Sequence, residues 1–300
     1  MADFGGNVEE TYIYTYAKNL AFKAQQMNSR LFNSVLSDSS MEAGGKLHKV
    51  EQQWFPTSLD EKTTRFQDTN LTEMQSENRW YRFKDFNKAI GIDESDVKRS
   101  LQDPQSAATQ TLSMAWARKM DEVVKNAFFG DAIVGEDGDQ TKAFKSSNIV
   151  ENAVGDTTGL NVEKILAGME ILKASDYLQA GDMVTCPVTA RQWRDLMKEL
   201  KYTNIEYANS KTLPTGILVP FLGVNFVEYQ GLDKDSEGNF LVPLYVKRAM
   251  FIGTPGLKKI RVGERADKSF ANQIYIEGSV GATRLDEDGV VQIKCAVAAE

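Results

Sequence analysis

The stretch DPQSAATQTLSMAWARKMDEVVKNAFFG, Asp103–Gly130, carries a start signal, one sustained period and a stop signal, and its reading decides the fold. Asp103 can cap the free amides of a first turn, Pro104 suits the first helical position, and Gly130 stands where a left-handed residue would close the helix. Leu112, Trp116, Met120, Val123 and Ala127 recur at three- and four-residue spacing as one apolar stripe. Arg118, Lys119, Asp121, Glu122 and Lys125 fall mostly elsewhere. A helix from Pro104 to Phe129 is about 39 Å long, so its stripe needs a sheet or another subunit alongside. The core helix of a globular enzyme would show the same stripe.

Around that helix, 300 residues with 42% hydrophobic and 10% aromatic content can bury a sizeable core, in one large α+β domain or two smaller ones. The net charge of −7 is spread over interleaved acids and bases, and no dense Lys/Arg run is available to neutralise phosphates. Cys186 and Cys295 lack CxxC spacing, which points to a reducing compartment and no disulfide framework. The opening MADFGGNVEETYIYTY lacks the basic-then-apolar order of a signal peptide, and no apolar run reaches membrane-spanning length; both predict a soluble protein not exported by the usual route.

Upstream of the helix, TYIYTY places Tyr12, Tyr14 and Tyr16 on one face of an extended strand, either an edge of the chain's own sheet or an arm for a neighbour. Ala17 to Leu36 has helical spacing through Leu20, Ala21, Ala24, Met27, Leu31 and Val35 before SDSSMEAGG breaks it. From Lys46 to Ile90, HKVEQQWF, TTRFQ and RWYRFKDF read as strands in polar surroundings, an extended hairpin. Its rings, Trp54, Phe55, Phe66, Trp80, Tyr81 and Phe83, must be covered by a second molecule if the hairpin projects, or line the chain's own core if it does not.

Downstream, DAIVGEDGDQ reads as a turn between strands; its glycines match neither GxGxxG nor GK[ST]. Asn161 caps a helix with Val162, Ile165, Leu166, Met169 and Leu172 on one stripe, DMVTCP is a buried strand, and Thr189 with Gln192 forms a capping box before Trp193, Leu196, Met197 and Leu200. GILVPFLGVNFVEY gives two short strands around Pro220 and Gly223. Asp233, Asp235, Glu237 and Gly238 imitate half a calcium loop, but Leu244 stands where a bidentate glutamate is required, leaving a hairpin turn. LVPLYVKRAMFIG, KKIRV, NQIYIEGSVGATRL and VVQIKCAV are strand-like, with DEDG before Val290 as an Asp-Gly hairpin turn.

Catalytic chemistry is thinly supplied. His48 is the only histidine, no GxSxG or other nucleophile signature accompanies it, and one histidine with two distant cysteines cannot compose a usual zinc site. No cofactor, metal or catalytic residue is predicted.

The order of elements resembles the major capsid protein of tailed double-stranded DNA bacteriophages, the Hong Kong phage fold. The residues that carry the likeness are AQQMNSRLFNSV and KLHKVEQQWF, then SMAWARKMDEVVKNAFFG, TCPVTARQWRDLM, GILVPFLGVNFVEY and the late IYIEGSVGATRLDEDGVVQIKC. The resemblance implies an α+β chain with an amino-terminal arm over 1–38, an extended hairpin loop over 39–90, and a peripheral domain over 91–160 and 240–300 holding the spine helix 104–129. It implies an axial domain over 161–239. Function would then be self-assembly through hexamers and pentamers into an icosahedral shell around double-stranded DNA, without sequence-specific binding, in the virion and, during assembly, the host cytoplasm. Arm and loop contacts would come from Tyr12, Tyr14, Tyr16, Trp54, Phe55, Phe66, Trp80, Tyr81 and Phe83, and spine packing from Leu112, Trp116, Met120 and Val123. A separate scaffolding protein, a portal and a decoration or cement protein are the implied partners; no membrane and no covalent cross-link are expected. An encapsulin-like compartment keeps the fold with another cargo, and a carboxylate-dependent enzyme centred on residues 161–229 is the alternative from another class.

Overall fold

A computed structural model describes residues 25–39, 47–66, 68–69, 71–93, 104–154, 158–198, 220–255 and 259–296. Tyr12, Tyr14, Tyr16, Leu20, Ala21, Ala24, Asp103 and Leu200, and the first strand of the GILVPFLGVNFVEY segment, lie outside the described residues.

The central helix, α1, spans Pro104–Phe129 as its spacing predicts. Its buried face runs through Ala108, Leu112, Ala117, Asp121, Val124 and Phe128. Trp116, Met120, Val123 and Ala127 are half-buried beside it, packed against the same core, so the stripe is turned by about one residue from the expected one. Phe128 fixes that turn by meeting Tyr245 with ring centroids 4.7 Å apart. The helix end is also a correction. Gly130 is not left-handed; its amide still donates to Asn126 O at 3.2 Å, and the last carbonyls, Phe128 O and Gly130 O, each accept from Arg284 Nη1 at 2.9 Å. A cation at the negative end of a helix satisfies both the dipole and the orphan carbonyls.

Among the described residues the strands form three sheets. The first orders β1 (Leu36–Asp38), β11 (Met250–Gly253), β13 (Ala271–Arg284) and β12 (Lys259–Arg265), with β4 (Lys84–Ile92) also on β13. β4 and β12 both pair with Asn272–Glu277, so they flank β13 as a three-stranded ribbon. Helix α1 lies across this ribbon, where Ile92, Ala108, Leu112, Ile274 and Ile276 form a small core. The approach requires Gly278, since a Cβ there would stand 2.5 Å from Trp116 Cη2.

The second sheet orders β7 (Ile149–Val150), β14 (Val290–Cys295), β10 (Phe240–Val246), β8 (Val184–Val188) and β9 (Val224–Glu228). Its strands β14, β10 and β8 are mostly buried, which is why they read as continuous apolar runs. Two helices belong to this part of the chain: α2 (Val162–Ala174) packs on β14, and α3 (Ala190–Lys198) follows β8. Asn161 caps α2 by accepting from Lys164 N at 2.7 Å, and Gln192 Oε1 accepts from Thr189 N at 3.0 Å, one half of the expected capping box. Leu166, assigned to the buried stripe of α2, is instead 47% exposed. The third sheet orders β2 (His48–Trp54), β3 (Ser76–Tyr81), β5 (Ala132–Val134) and β6 (Gln140–Lys142). Together these elements make a mixed α+β subunit.

Three other expectations are corrected. Residues 25–36 are not an α-helix; they form a bend and a short 3-10 turn at Phe32–Ser34 leading into β1, because Asp121 and β11 take up their backbone groups. Of TTRFQ, the described residues Thr63–Phe66 form no strand, and RWYRFKDF divides at Arg82 and Phe83 between two sheets. The DEDG segment is no hairpin turn, since β13 and β14 lie in different sheets and residues 285–289 make the corner between them. The second sheet draws β8 and β9 from before residue 239 and β10 and β14 from after it.

Candidate assembly surface

Strands β2 and β3 pair from His48↔Tyr81 to Trp54↔Ser76, with a register shift between Lys49 and Glu51, and Phe55 N donates to Gln75 O at 3.0 Å one step further out. Beyond that rung the loop stands in solvent: Leu59, Phe66 and Leu71 are 97%, 96% and 97% exposed, and Trp54 and Phe55 just over half. Large apolar side chains are rarely left this bare on a monomer.

The structure brings only part of the expected ring set to that surface. Trp54, Phe55 and Phe66 are presented outward. Tyr81 is buried in its own subunit, edge-on to Phe83 at 5.0 Å and Phe251 at 5.3 Å, where it fills part of the core. Phe83 packs on that cluster beside His48, and Trp80 Nε1 donates to Gly135 O at 2.7 Å on the β5–β6 turn. Burial, with a smaller contribution from Asp38, pushes the Tyr81 hydroxyl up to about 12, so it stays neutral at physiological pH. The division is mechanical: β3 is inserted beside β5 at its Arg79–Trp80 end and leaves the body only at Ser76.

What holds the hairpin root is a buried ion cluster. Arg79 Nη1 and Nη2 donate to Glu287 Oε1 and Oε2 at 2.8 and 2.6 Å, and Nη2 also reaches Glu77 at 2.9 Å. Lys142 Nζ stands 3.0 Å from Glu77 and 3.3 Å from Glu287. Arg284 Nε lies 3.5 Å from Glu287 while its Nη1 closes α1. Burial alone would raise the Glu287 carboxyl, but hydrogen bonding and charge from Arg79, with Lys142 and Arg284 behind it, hold it below the usual glutamate range. Burial lowers the Arg284 guanidinium, with Glu287 opposing. Next door, burial and then the charges of Asp288 and Glu287 raise the Asp286 carboxyl. One carboxylate thus gathers cations from the hairpin, the β5–β6 pair and the helix end.

A second anchor ties the arm's root to α1. Asp121 is fully buried and accepts from Ser29 Oγ at 2.5 Å, Arg30 N at 2.9 Å and Leu31 N at 3.1 Å, with Gln26 Nε2 beside them. Sequence reading missed Asp121, Arg79, Arg284 and Glu287. Only Asp121 left a signal, standing four residues after Ala117 and three before Val124 on the true buried face.

Among the described residues no group of His, Cys, Asp and Glu could hold a metal ion, no helix is long and apolar enough to cross a membrane, and Cys186 and Cys295 are free and buried. The Asp235 carboxylate accepts from Glu237 N at 2.9 Å and Asn239 N at 2.8 Å within its turn, where Gly238 takes φ +84°.

A long helix across a β-ribbon, a second buried sheet and a solvent-held hairpin define the architecture of a phage shell subunit. Solved structures share it: the cyanophage Pam1 capsid asymmetric unit superposes with TM-score 0.75 at 12% identity, covering 100% of both chains. The capsid of Ralstonia phage GP4 superposes with TM-score 0.69 at 11% identity over 100% of this chain and 99% of that one. A chain of Mycobacterium phage Che8 gives 0.68 at 12%, covering 94% and 97%. No curated protein sequence matches. The family model described as "Phage capsid protein" matches residues 8–297, and the chain belongs to that family. It is a capsid protein of the virion shell.

Proposed function

We propose that this chain is the major capsid protein of a tailed phage, closing through hexamers and pentamers into an icosahedral shell around double-stranded DNA. The observation that carries this reading is a folded subunit whose projecting hairpin leaves Leu59, Phe66 and Leu71 almost wholly bare. Each contact such a loop makes is modest, but repetition around a closed symmetric shell multiplies it. In this reading α1 is the spine, residues 47–81 the extended loop, the ribbon of β4, β13 and β12 the peripheral domain, and the sheet from β7 to β9 with α2 and α3 the axial domain. The axial part then includes Phe240–Val246 and Val290–Cys295, beyond the segment the sequence suggests. Trp54, Phe55 and Phe66, with Tyr12, Tyr14 and Tyr16 of the arm, make contacts between subunits. A separate scaffolding protein, a portal and a decoration protein complete the assembly, in the host cytoplasm before the virion, and the subunit itself performs no catalysis. Membership in the phage capsid family weighs against a cargo-holding compartment and a carboxylate enzyme.

Light scattering on the purified protein, alone and with the scaffolding protein of its phage, tests the reading. Capsomers or megadalton particles support it. A monomer or dimer that persists with scaffolding present sinks it.

A further inference from the structure

Both strands of the hairpin are tied to the corner formed by residues 285–289. Arg79 of β3 grips Glu287 with two prongs. Gln53 of β2 accepts from Arg79 Nε at 3.3 Å and donates through Nε2 to Leu285 O at 2.9 Å. The corner itself is held from the other side. Lys145 pairs with Asp288 at 2.6 Å, Asn148 Nδ2 donates to Glu287 O at 2.8 Å, and Leu285 N donates to Ala249 O at 2.7 Å. The corner is thus a fixed base, and the Arg79–Glu287 fork is the joint on it.

Beside the joint lies a cleft of about 560 Å³, with Glu51 and Trp54 on its hairpin wall and Tyr177, Arg248 and Asp286 on its body wall. Arg248 is engaged within the body, by Asp182 at 3.1 Å and by the carbonyl and ring of Tyr177. The walls therefore present Glu51 and Asp286 to each other, like charge to like charge. The hairpin has room to tilt on this side, and the fork opposes that tilt. At about 3.3 Å per residue the Trp54–Ser76 rung stands about 10 Å beyond Arg79, and the loop further still, so a small rotation at the joint is amplified at the tip.

A shell of hexamers and pentamers asks one chain to make its contacts at more than one angle, so the pitch of a projecting contact element bears on curvature. We infer that Arg79, gripped by Glu287, is a positioning residue for shell size: it fixes the tilt of the hairpin over the cleft and so the curvature at which subunits join. This rests on the shell reading above and adds to it the determinant of particle diameter.

The test weighs empty particles, assembled with scaffolding, by charge-detection mass spectrometry. Arg79→Lys keeps the charge but gives up the two-pronged grip, and should widen the spread of particle masses about twofold or more. Glu51→Lys, at an exposed position, sets a cation opposite Asp286 and draws the hairpin toward the cleft. It should leave thermal unfolding unchanged and shift the mean particle mass, and it carries the test if Arg79→Lys does not fold. Leu172→Ala, in α2, lowers stability without touching the joint and should keep the wild-type mass distribution. Wild-type masses from folded Arg79→Lys or from Glu51→Lys overturn the inference while leaving the shell reading intact. Equal broadening in Leu172→Ala assigns the effect to lost stability and overturns it too. Wild-type subunits that form no particle with scaffolding supplied overturn the shell reading itself.

Discussion

Arg79 and Glu287, 208 residues apart, form a two-pronged ion pair with contacts of 2.8 and 2.6 Å in which both side chains are almost wholly withdrawn from solvent. The pair joins the root of the projecting hairpin to the corner where the chain passes from one sheet to another. A fork-to-carboxylate pair fixes orientation as well as distance, so the hairpin leaves the body at a set angle, and its β-ladder runs out to Trp54 and Ser76.

Breaking this pair from one side strands a buried charge. Glu287→Gln or Arg79→Met should destabilise the subunit by about 3–5 kcal/mol, and the double variant by less than the sum. Urea unfolding of the three variants measures this, and strictly additive losses would show that the two residues do not act on each other.

The two neighbouring carboxyls predict opposite responses to acid. Glu287 is held below its ordinary value in the fold, so its contribution is complete above about pH 4.3 and is lost as pH falls through the lower folded value. Asp286 is raised by burial and by Asp288 and Glu287, with Arg79 opposing, so its ionised form costs stability above the raised value and protonation relieves it. The deficit of Glu287→Gln should therefore shrink as pH drops from 7 to 3. Asp286→Asn should stabilise at pH 7 and lose that advantage near pH 4. Thermal midpoints across this range check both signs.

Asp121 gives the arm root its backbone partners. In Asp121→Ala the amides of Arg30 and Leu31 lose their acceptor, at a cost of about 1.5–3 kcal/mol for each bond to the charged group. Hydrogen exchange should accelerate at residues 29–31 while β13 stays protected; uniform acceleration would mean that the whole fold loosens instead.

The rings of the hairpin should separate into two classes. Trp54→Ala and Phe66→Ala should leave unfolding within about 0.5 kcal/mol of wild type and impair assembly, since both side chains are exposed. Tyr81→Ala should cost about 3–5 kcal/mol in folding, because it empties a packed cluster. Equal stability losses at Phe66 and Tyr81 would refute the division.

Local periodicity made much of this fold legible. The bounds of α1, the Asn161 cap, the buried β8 and the late strands all follow from spacing, capping chemistry and apolar runs. What sequence could not supply were choices made by distant partners. Gly130 carries the signal for a left-handed stop, but Arg284 closes the helix from across the fold and the left-handed turn is not used. Asp288 and Gly289 resemble a hairpin turn, yet the residue needed there is a glycine for another reason: a Cβ at Gly289 would stand 2.5 Å from Tyr177 Cε1. Residues 25–36 have helical spacing, but buried Leu31 and Val35 serve a bend whose amides Asp121 holds. The aromatic hairpin was visible as a hairpin; which of its rings face outward depends on where β5 pairs with β3, and no local pattern encodes that.

The central claim is that this subunit closes into a shell in which the hairpin lies on a neighbour. A cryo-EM map of particles assembled with scaffolding tests it most directly. The account predicts a closed icosahedral lattice of hexamers and pentamers, with residues 55–75 ordered against the next subunit. A small discrete oligomer, or a shell in which residues 55–75 point free into solvent, would contradict it.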